Sequence, residues 1–105
     1  MFALVVRFDL TSDGADGFDR LVAATVPLIL VREPGTLLYV THTVEGAPLA
    51  RIFYEVYADR TAFDAHEEQA HVKRFLAERE QYLSAPARVE FVVPGPAKGL
   101  PAGAR

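Results

Sequence analysis

There is no cysteine among the 105 residues of this chain. Disulfides, thiolate metal sites and cysteine nucleophiles are thereby excluded, and a cytoplasmic location is the simplest expectation. A basic cluster interleaved with aromatics is also missing. The net charge of −3 offers little to neutralise phosphates, so nucleic acid is not an expected partner. Long hydrophobic runs are absent too. The opening MFALVVRFDL is apolar, but it lacks a basic n-region and is too short to span a bilayer, so no membrane partner is expected and it reads as a strand. There is no phosphate loop, no Gly-rich dinucleotide turn, and no Ser or Thr in a nucleophile-elbow context, which argues against covalent catalysis.

What is present is an ordinary globular composition. Half of the residues are hydrophobic and 24% are charged, enough for one domain with one modest core. Along the chain, Phe2 to Leu10 reads as a strand. Phe2, Leu4, Val6, Phe8 and Leu10 form one set, and Ala3, Val5, Arg7 and Asp9 the other. A helix is expected from about Asp16 to Arg32, with Phe18, Leu21, Val22, Thr25, Leu28 and Ile29 at spacings of three and four. Pro27 should kink it, and Glu33-Pro34-Gly35 should stop it, with Gly35 able to take a positive φ.

Thr36 to Val44 and Leu49 to Ala58 read as a hairpin across the turn Glu45-Gly46-Ala47-Pro48. Centring it on Ala47 pairs Tyr39 with Glu55, Thr41 with Phe53 and Thr43 with Arg51, and puts His42 on the opposite face with Leu38, Val40, Ile52 and Tyr54. Asp59 is placed to cap a second helical region that runs to about Leu83. Phe63 and His66 share one face of it, His71 follows a kink or break, and Val72, Phe75, Leu76, Arg79 and Leu83 continue the stripe. Ala87 to Val93 is a fourth strand. Residues 94–105 are a Pro/Gly/Ala-rich tail, expected to be flexible or to cross onto a partner.

The order β-α-β-β-α-β is the ferredoxin-like pattern, an α+β fold with both helices on one side of a four-stranded antiparallel sheet. The other side of that sheet is apolar in its first three strands. A homodimer with two sheets packed face to face is the expected remedy.

Several stretches together resemble the antibiotic biosynthesis monooxygenase (ABM) domain family of the dimeric α+β barrel superfamily. They are Glu33-Pro34-Gly35 with Leu38-Tyr39, the strand Phe53-Tyr54-Glu55-Val56-Tyr57-Ala58-Asp59, and Phe63-Asp64-Ala65-His66 with His71 and Phe75. The resemblance covers residues 1–93 and implies an ABM-like domain there. The family's haem-degrading branch would require an Asn on the first strand, a Trp early in the second helix and an axial His about ten residues on. The matching positions hold Arg7, His66 and Leu76, none of which fits.

The resemblance implies a pocket between the sheet and the second helix. His66, Glu55 and His71 are its candidate catalytic residues, and Arg7, Tyr39, Tyr57 and Phe63 its candidate substrate contacts. No cofactor and no metal are expected. His66 and His71 are five apart, which is not the i, i+4 spacing of a helical zinc pair, although a kink could gather them with Glu55. The implied activity is a small cofactor-independent monooxygenase of a quinol- or polyketide-type aromatic. Such a substrate, once deprotonated, can reduce oxygen itself, and His is suited to take that proton near neutral pH. Each residue also has a structural reading: His66 packed at the core edge by Phe63, Glu55 paired with Arg7, the tyrosines as core-edge filler. If those hold, the alternative is a non-catalytic dimer that binds a small aromatic molecule.

Overall fold

A computed structural model describes residues 1–100. Four strands, β1 (Phe2–Asp9), β2 (Thr36–Val44), β3 (Ala47–Tyr57) and β4 (Arg88–Val92), form one antiparallel sheet in the order β2-β3-β1-β4. The helices are α1 (Ala15–Arg32), α2 (Arg60–Glu68) and α3 (Ala70–Glu78), with a 3-10 turn at Arg79–Tyr82. This is the expected ferredoxin-like α+β fold. Among the described residues, no helix is long and apolar enough to cross a membrane. Residues 94–100 carry neither helix nor strand, and the remainder of the tail, 101–105, lies outside the described residues.

The core follows from strand alternation. Leu4, Val6, Phe8 and Leu10 turn inward and are buried with Phe53 and Tyr57 of β3, Phe18 and Leu21 of α1, Phe63 of α2 and Phe75 of α3. Four phenylalanines interlock at its centre. Phe8 lies 5.1 Å from Phe18 and 4.8 Å from Phe53 between ring centroids, and Phe75 lies 6.0 Å from Phe18. Arg51, near the middle of β3, forks onto both carboxylate oxygens of Asp19 at 3.0 and 2.9 Å and so ties the sheet to α1.

Three local details refine the expectation. The hairpin turn is Glu45-Gly46, with Gly46 at φ +79°, and Ala47 and Pro48 already belong to β3. The ladder still centres on Ala47, with Tyr39 opposite Glu55 and Thr41 opposite Phe53. A bulge between Thr43–Arg51 and Val44–Ala47 absorbs the difference. Pro48, which has no N–H to give, falls in that irregular stretch. Second, α1 runs through Pro27 as one helix over the expected span. The carbonyl of Ala23 loses its partner there, but Ala23 is exposed and water can take its place. Third, Gly35 does not have a positive φ. Its need is for space: a Cβ there would lie 2.7 Å from the Cβ of Ala62 in α2.

The second helical region divides at Gln69, as the sequence suggests, and Asp59 caps its start by accepting from the Ala62 N–H at 2.8 Å. Gln69 is extended (φ −65°, ψ 138°), yet its backbone is satisfied: its N–H donates to His66 O, and its carbonyl accepts from Val72 and Lys73.

Phe18 is fully buried and packs on three other rings. Phe18→Ala is expected to destabilise the fold by about 3–5 kcal/mol, the usual cost of truncating a buried phenylalanine. Urea unfolding with an unchanged m-value is the check.

Candidate functional site

The site is built where the end of α1, β3 and α2 meet. The Glu33 backbone N–H closes α1 on Ile29 O, and Pro34-Gly35 turns the chain into β2. Because Gly35 lets this loop press against Ala62, the Glu33 side chain points under α2 and is buried there, 3% exposed. A carboxylate in that position needs partners. It has three. Thr36 Oγ1 donates to Oε1 at 2.8 Å, His66 Nδ1 meets Oε1 at 2.5 Å, and His71 Nε2 meets Oε2 at 2.5 Å. Both imidazoles are themselves buried.

The hydrogen-bond network assigns the tautomers. A carboxylate only accepts, so His66 presents Nδ1–H and His71 presents Nε2–H. In neutral His66 the lone pair is then on Nε2. That nitrogen faces Glu55 Oε1 across 4.0 Å, too far for a hydrogen bond. Glu55 accepts from the Tyr57 hydroxyl at 2.6 Å. A line of polar groups therefore runs from His71 through Glu33 and His66 to Glu55 and Tyr57, with one gap in it, at His66 Nε2.

That gap borders a cavity of about 260 Å³ between the sheet and the helices. Its walls are mostly apolar, with Leu4, Val6, Phe8 and Phe53 from the sheet and Phe63, Val72, Phe75 and Leu76 from the helices. Tyr39, Glu55, His66 and Arg79 supply polar groups, and Val89 and Phe91 of β4 reach its edge. Burial pushes the Glu55 carboxyl up from its ordinary 4.5 to about 7, against the opposing Tyr57 hydrogen bond and Arg79 charge. Burial, and then the neighbouring Glu55, also raise the Tyr57 and Tyr39 hydroxyls well above the usual range, so both stay neutral donors.

The candidate residues separate accordingly. His66, Glu55, Tyr39 and Phe63 line the cavity. Tyr57 stands behind it, fully buried, and acts on it through Glu55. His71 lies on the far side of Glu33 and holds that carboxylate. Arg7 does not join them. In the β1–β3 register Leu4 is opposite Glu55 and Arg7 is opposite Ile52, so Arg7 points away from the helices, where it pairs with Asp9 at 3.2 Å. The suggested Arg7–Glu55 pair is thus ruled out by alternation. The carboxylate that orients His66 is Glu33 rather than Glu55. His42 is exposed on the opposite face, against Ile52 O at 3.0 Å.

Two residues of the site carry signals that sequence reasoning passed over. Glu33 reads as part of a helix stop, although an acid just before Pro-Gly, at the end of an amphipathic helix, can be drawn inward. Arg79 sits in an otherwise apolar stripe with Val72, Phe75 and Leu76, and a charge there is a sign of an interior task. Among the described residues, no group of three or more His, Asp or Glu side chains is arranged to hold a metal ion. Both histidines meet at Glu33 as hydrogen-bond partners instead.

Residues 1–78 match the family model described as "Antibiotic biosynthesis monooxygenase". No curated protein matches the sequence. Among solved structures, one described as an antibiotic biosynthesis monooxygenase superposes with a TM-score of 0.83 at 21% identity, over 91% of this chain and 100% of its own. A protein of unknown function from Nitrosomonas europaea gives 0.80 at 26% identity, over 97% and 95%. A protein from Mycobacterium tuberculosis gives 0.81 at 23% identity, over 91% and 96%.

The raised Glu55 carboxyl has a consequence for stability. Below its ordinary 4.5 it is protonated whether the chain is folded or not. Between 4.5 and about 7 the folded protein keeps a proton that the unfolded chain releases, so Glu55 makes stability fall as pH rises through that window. Glu55→Gln should flatten that fall, which parallel urea titrations of the two proteins across the window would measure.

Proposed function

The chain belongs to the antibiotic biosynthesis monooxygenase family, and on that premise we propose that it is a small cofactor-independent monooxygenase acting on a quinol- or polyketide-type aromatic. One observation carries this reading. His66 is fixed through Nδ1 by a buried carboxylate, and its Nε2 lies beside a largely apolar cavity. That is the arrangement of an oriented general base, in which the carboxylate sets the tautomer and stabilises the imidazolium that forms. At about 260 Å³ the cavity is smaller than the ~300–1,000 Å³ typical of drug-sized ligands, and its aromatic walls suit a small flat ring system.

In this reading His66 Nε2 removes a proton from the substrate's activated C–H or O–H. The resulting anion gives electrons to dioxygen and forms a carbon–oxygen bond, and His66 returns the proton to the peroxide, giving a hydroperoxide at that carbon. His66 then takes the second hydrogen of the same carbon as a proton, the C–H electrons form the carbonyl as the O–O bond breaks, and that proton goes to the departing hydroxide, so one oxygen atom is retained and the other leaves as water. Glu55, Tyr39 and Phe63 contact substrate. Tyr57 positions Glu55, and His71 positions Glu33. Arg7 has no part, since it faces the other way. His66→Ala should lower turnover by roughly a hundredfold or more, the size of a general-base contribution. His42→Ala should leave it unchanged. Oxygen consumption with a panel of hydroquinones and anthrones, without metal or flavin, tests this. Equal rates for wild type and His66→Ala remove His66 from the chemistry, and no uptake with any substrate favours the non-catalytic binding protein.

A second copy of the chain belongs to the same proposal. On the face away from the helices, Val5, Leu38, Val40, Ile52 and Tyr54 remain half-exposed around the shielded Ala3 and Val56. Apolar surface of this kind gains roughly 25 cal/mol per Å² when covered, before the costs of association. A two-fold partner sheet would cover it. Light scattering at micromolar concentration should give twice the chain mass of 11.5 kDa, and a monomer would refute the pairing.

A further inference from the structure

Arg79 is the first residue of the 3-10 turn, and its backbone N–H closes α3 on Phe75 O. Its side chain does not extend into solvent. It lies back over the core, with the guanidinium carbon 5.2 Å from the Phe8 ring centroid and 5.8 Å from that of Phe75, and is 17% exposed. Its Nε is buried with no hydrogen-bond partner among the described residues. The one carboxylate within 4 Å among the described residues is Glu80, 3.7 Å from that Nε and 65% exposed. A buried guanidinium N–H without an acceptor is costly in a folded protein, on the order of 1–3 kcal/mol or more. Among the described residues it is the one fully enclosed side-chain nitrogen or oxygen without a partner, so the exception is informative.

We propose that Arg79 is the anchor for an anionic group of the ligand, so that the cavity takes an aromatic acid, with the carboxylate on Arg79 and the reacting carbon or hydroxyl beside His66. This rests on the cavity being the substrate site. Arg79 lines that cavity and also the open groove of Glu80, Leu83, Pro86 and Ala87, so it stands at the boundary between enclosed and open space. A planar fork at that position matches a carboxylate in two-point contact, and the Phe8 and Phe75 rings pack against it. The other arginine at the cavity, Arg60, is occupied: it pairs with Asp64 at 3.2 Å and is 69% exposed. The acids nearby do not cancel the attraction. Glu55 keeps its proton through much of the range below about 7, and Glu67 and Glu80 are exposed and screened by water. Apolar walls at one end and a guanidinium with no hydrogen-bonded acceptor at the other define a ligand that is flat, greasy and negatively charged.

The test uses binding rather than turnover, so it remains informative if the protein proves not to be an oxygenase. Calorimetry would compare 1-hydroxy-2-naphthoate with 1-naphthol, the same ring system with and without the carboxylate, on the acid side of the Glu55 transition. Wild type should bind the acid at least about tenfold more tightly. Arg79→Gln should lose that preference while its affinity for 1-naphthol is unchanged, and Arg79→Lys, which keeps the charge but not the fork, should retain part of it. Equal wild-type affinities for the two compounds, no binding of the acid, or a preference that survives in Arg79→Gln would each overturn the assignment. The wild-type comparison decides the matter even if Arg79→Gln fails to fold. Tight binding of the acid without oxygen uptake from any hydroquinone or anthrone would leave the anchor standing and remove the oxygenase reading alone.

Discussion

The arrangement of the site depends on a carboxylate that has been taken out of water. Glu33 ends α1 in a place where nothing but protein can satisfy it, and three side chains from β2, α2 and α3 do so. Removing any one partner from a buried ionic cluster leaves an uncompensated group, which generally costs more than the pair is worth. The interaction therefore specifies more than it stabilises. It fixes which nitrogen of His66 carries hydrogen, which way the ring faces, and how close α2 sits to the α1–β2 loop.

The sheet contributes the other half by register. Because Tyr39 is opposite Glu55 and Glu55 is opposite Leu4, an acid and a phenol face the helices in a row that is otherwise apolar. The cavity is then the space that α2 and α3 leave above β1 and β3. Polar groups stand on two of its sides, His66 with Glu55 on one and Arg79 on another, and the walls between them are aliphatic and aromatic.

Much of the fold was legible because it depends on alternation. The inward set of β1, the hairpin pairing, the stripe on α1, the Asp59 cap and the break before His71 all follow from periods of two and 3.6 and from cap chemistry. The same rule, applied between β1 and β3, would have removed Arg7 from the site, since β1 residues with odd numbers face away from the helices. The partner of His66 was not legible. Glu33 is 33 residues away in sequence, and what brings it in is the missing Cβ of Gly35 against Ala62, a contact between the α1–β2 loop and α2 that no local period encodes. The inward turn of Arg79 is of the same kind, because a stripe tells which face a residue occupies but not whether a long side chain folds back over it.

The break at Gln69 has a geometric meaning. On one continuous helix, residues 66 and 71 would project about 140° apart and could not meet at a common acceptor. The single extended residue resets the phase, so that two imidazoles from successive helices reach the two oxygens of one carboxylate. Chain length across this joint is thereby quantised. One residue more or fewer would rotate everything downstream by about 100°, carrying His71 off Glu33 and the Val72, Phe75 and Arg79 side of the cavity with it. A connection this short would ordinarily be a tolerant place for insertions, as the exposed Glu45-Gly46 hairpin turn is. Here it behaves as a gear tooth, and drift in length over evolution must be taken up elsewhere in the chain.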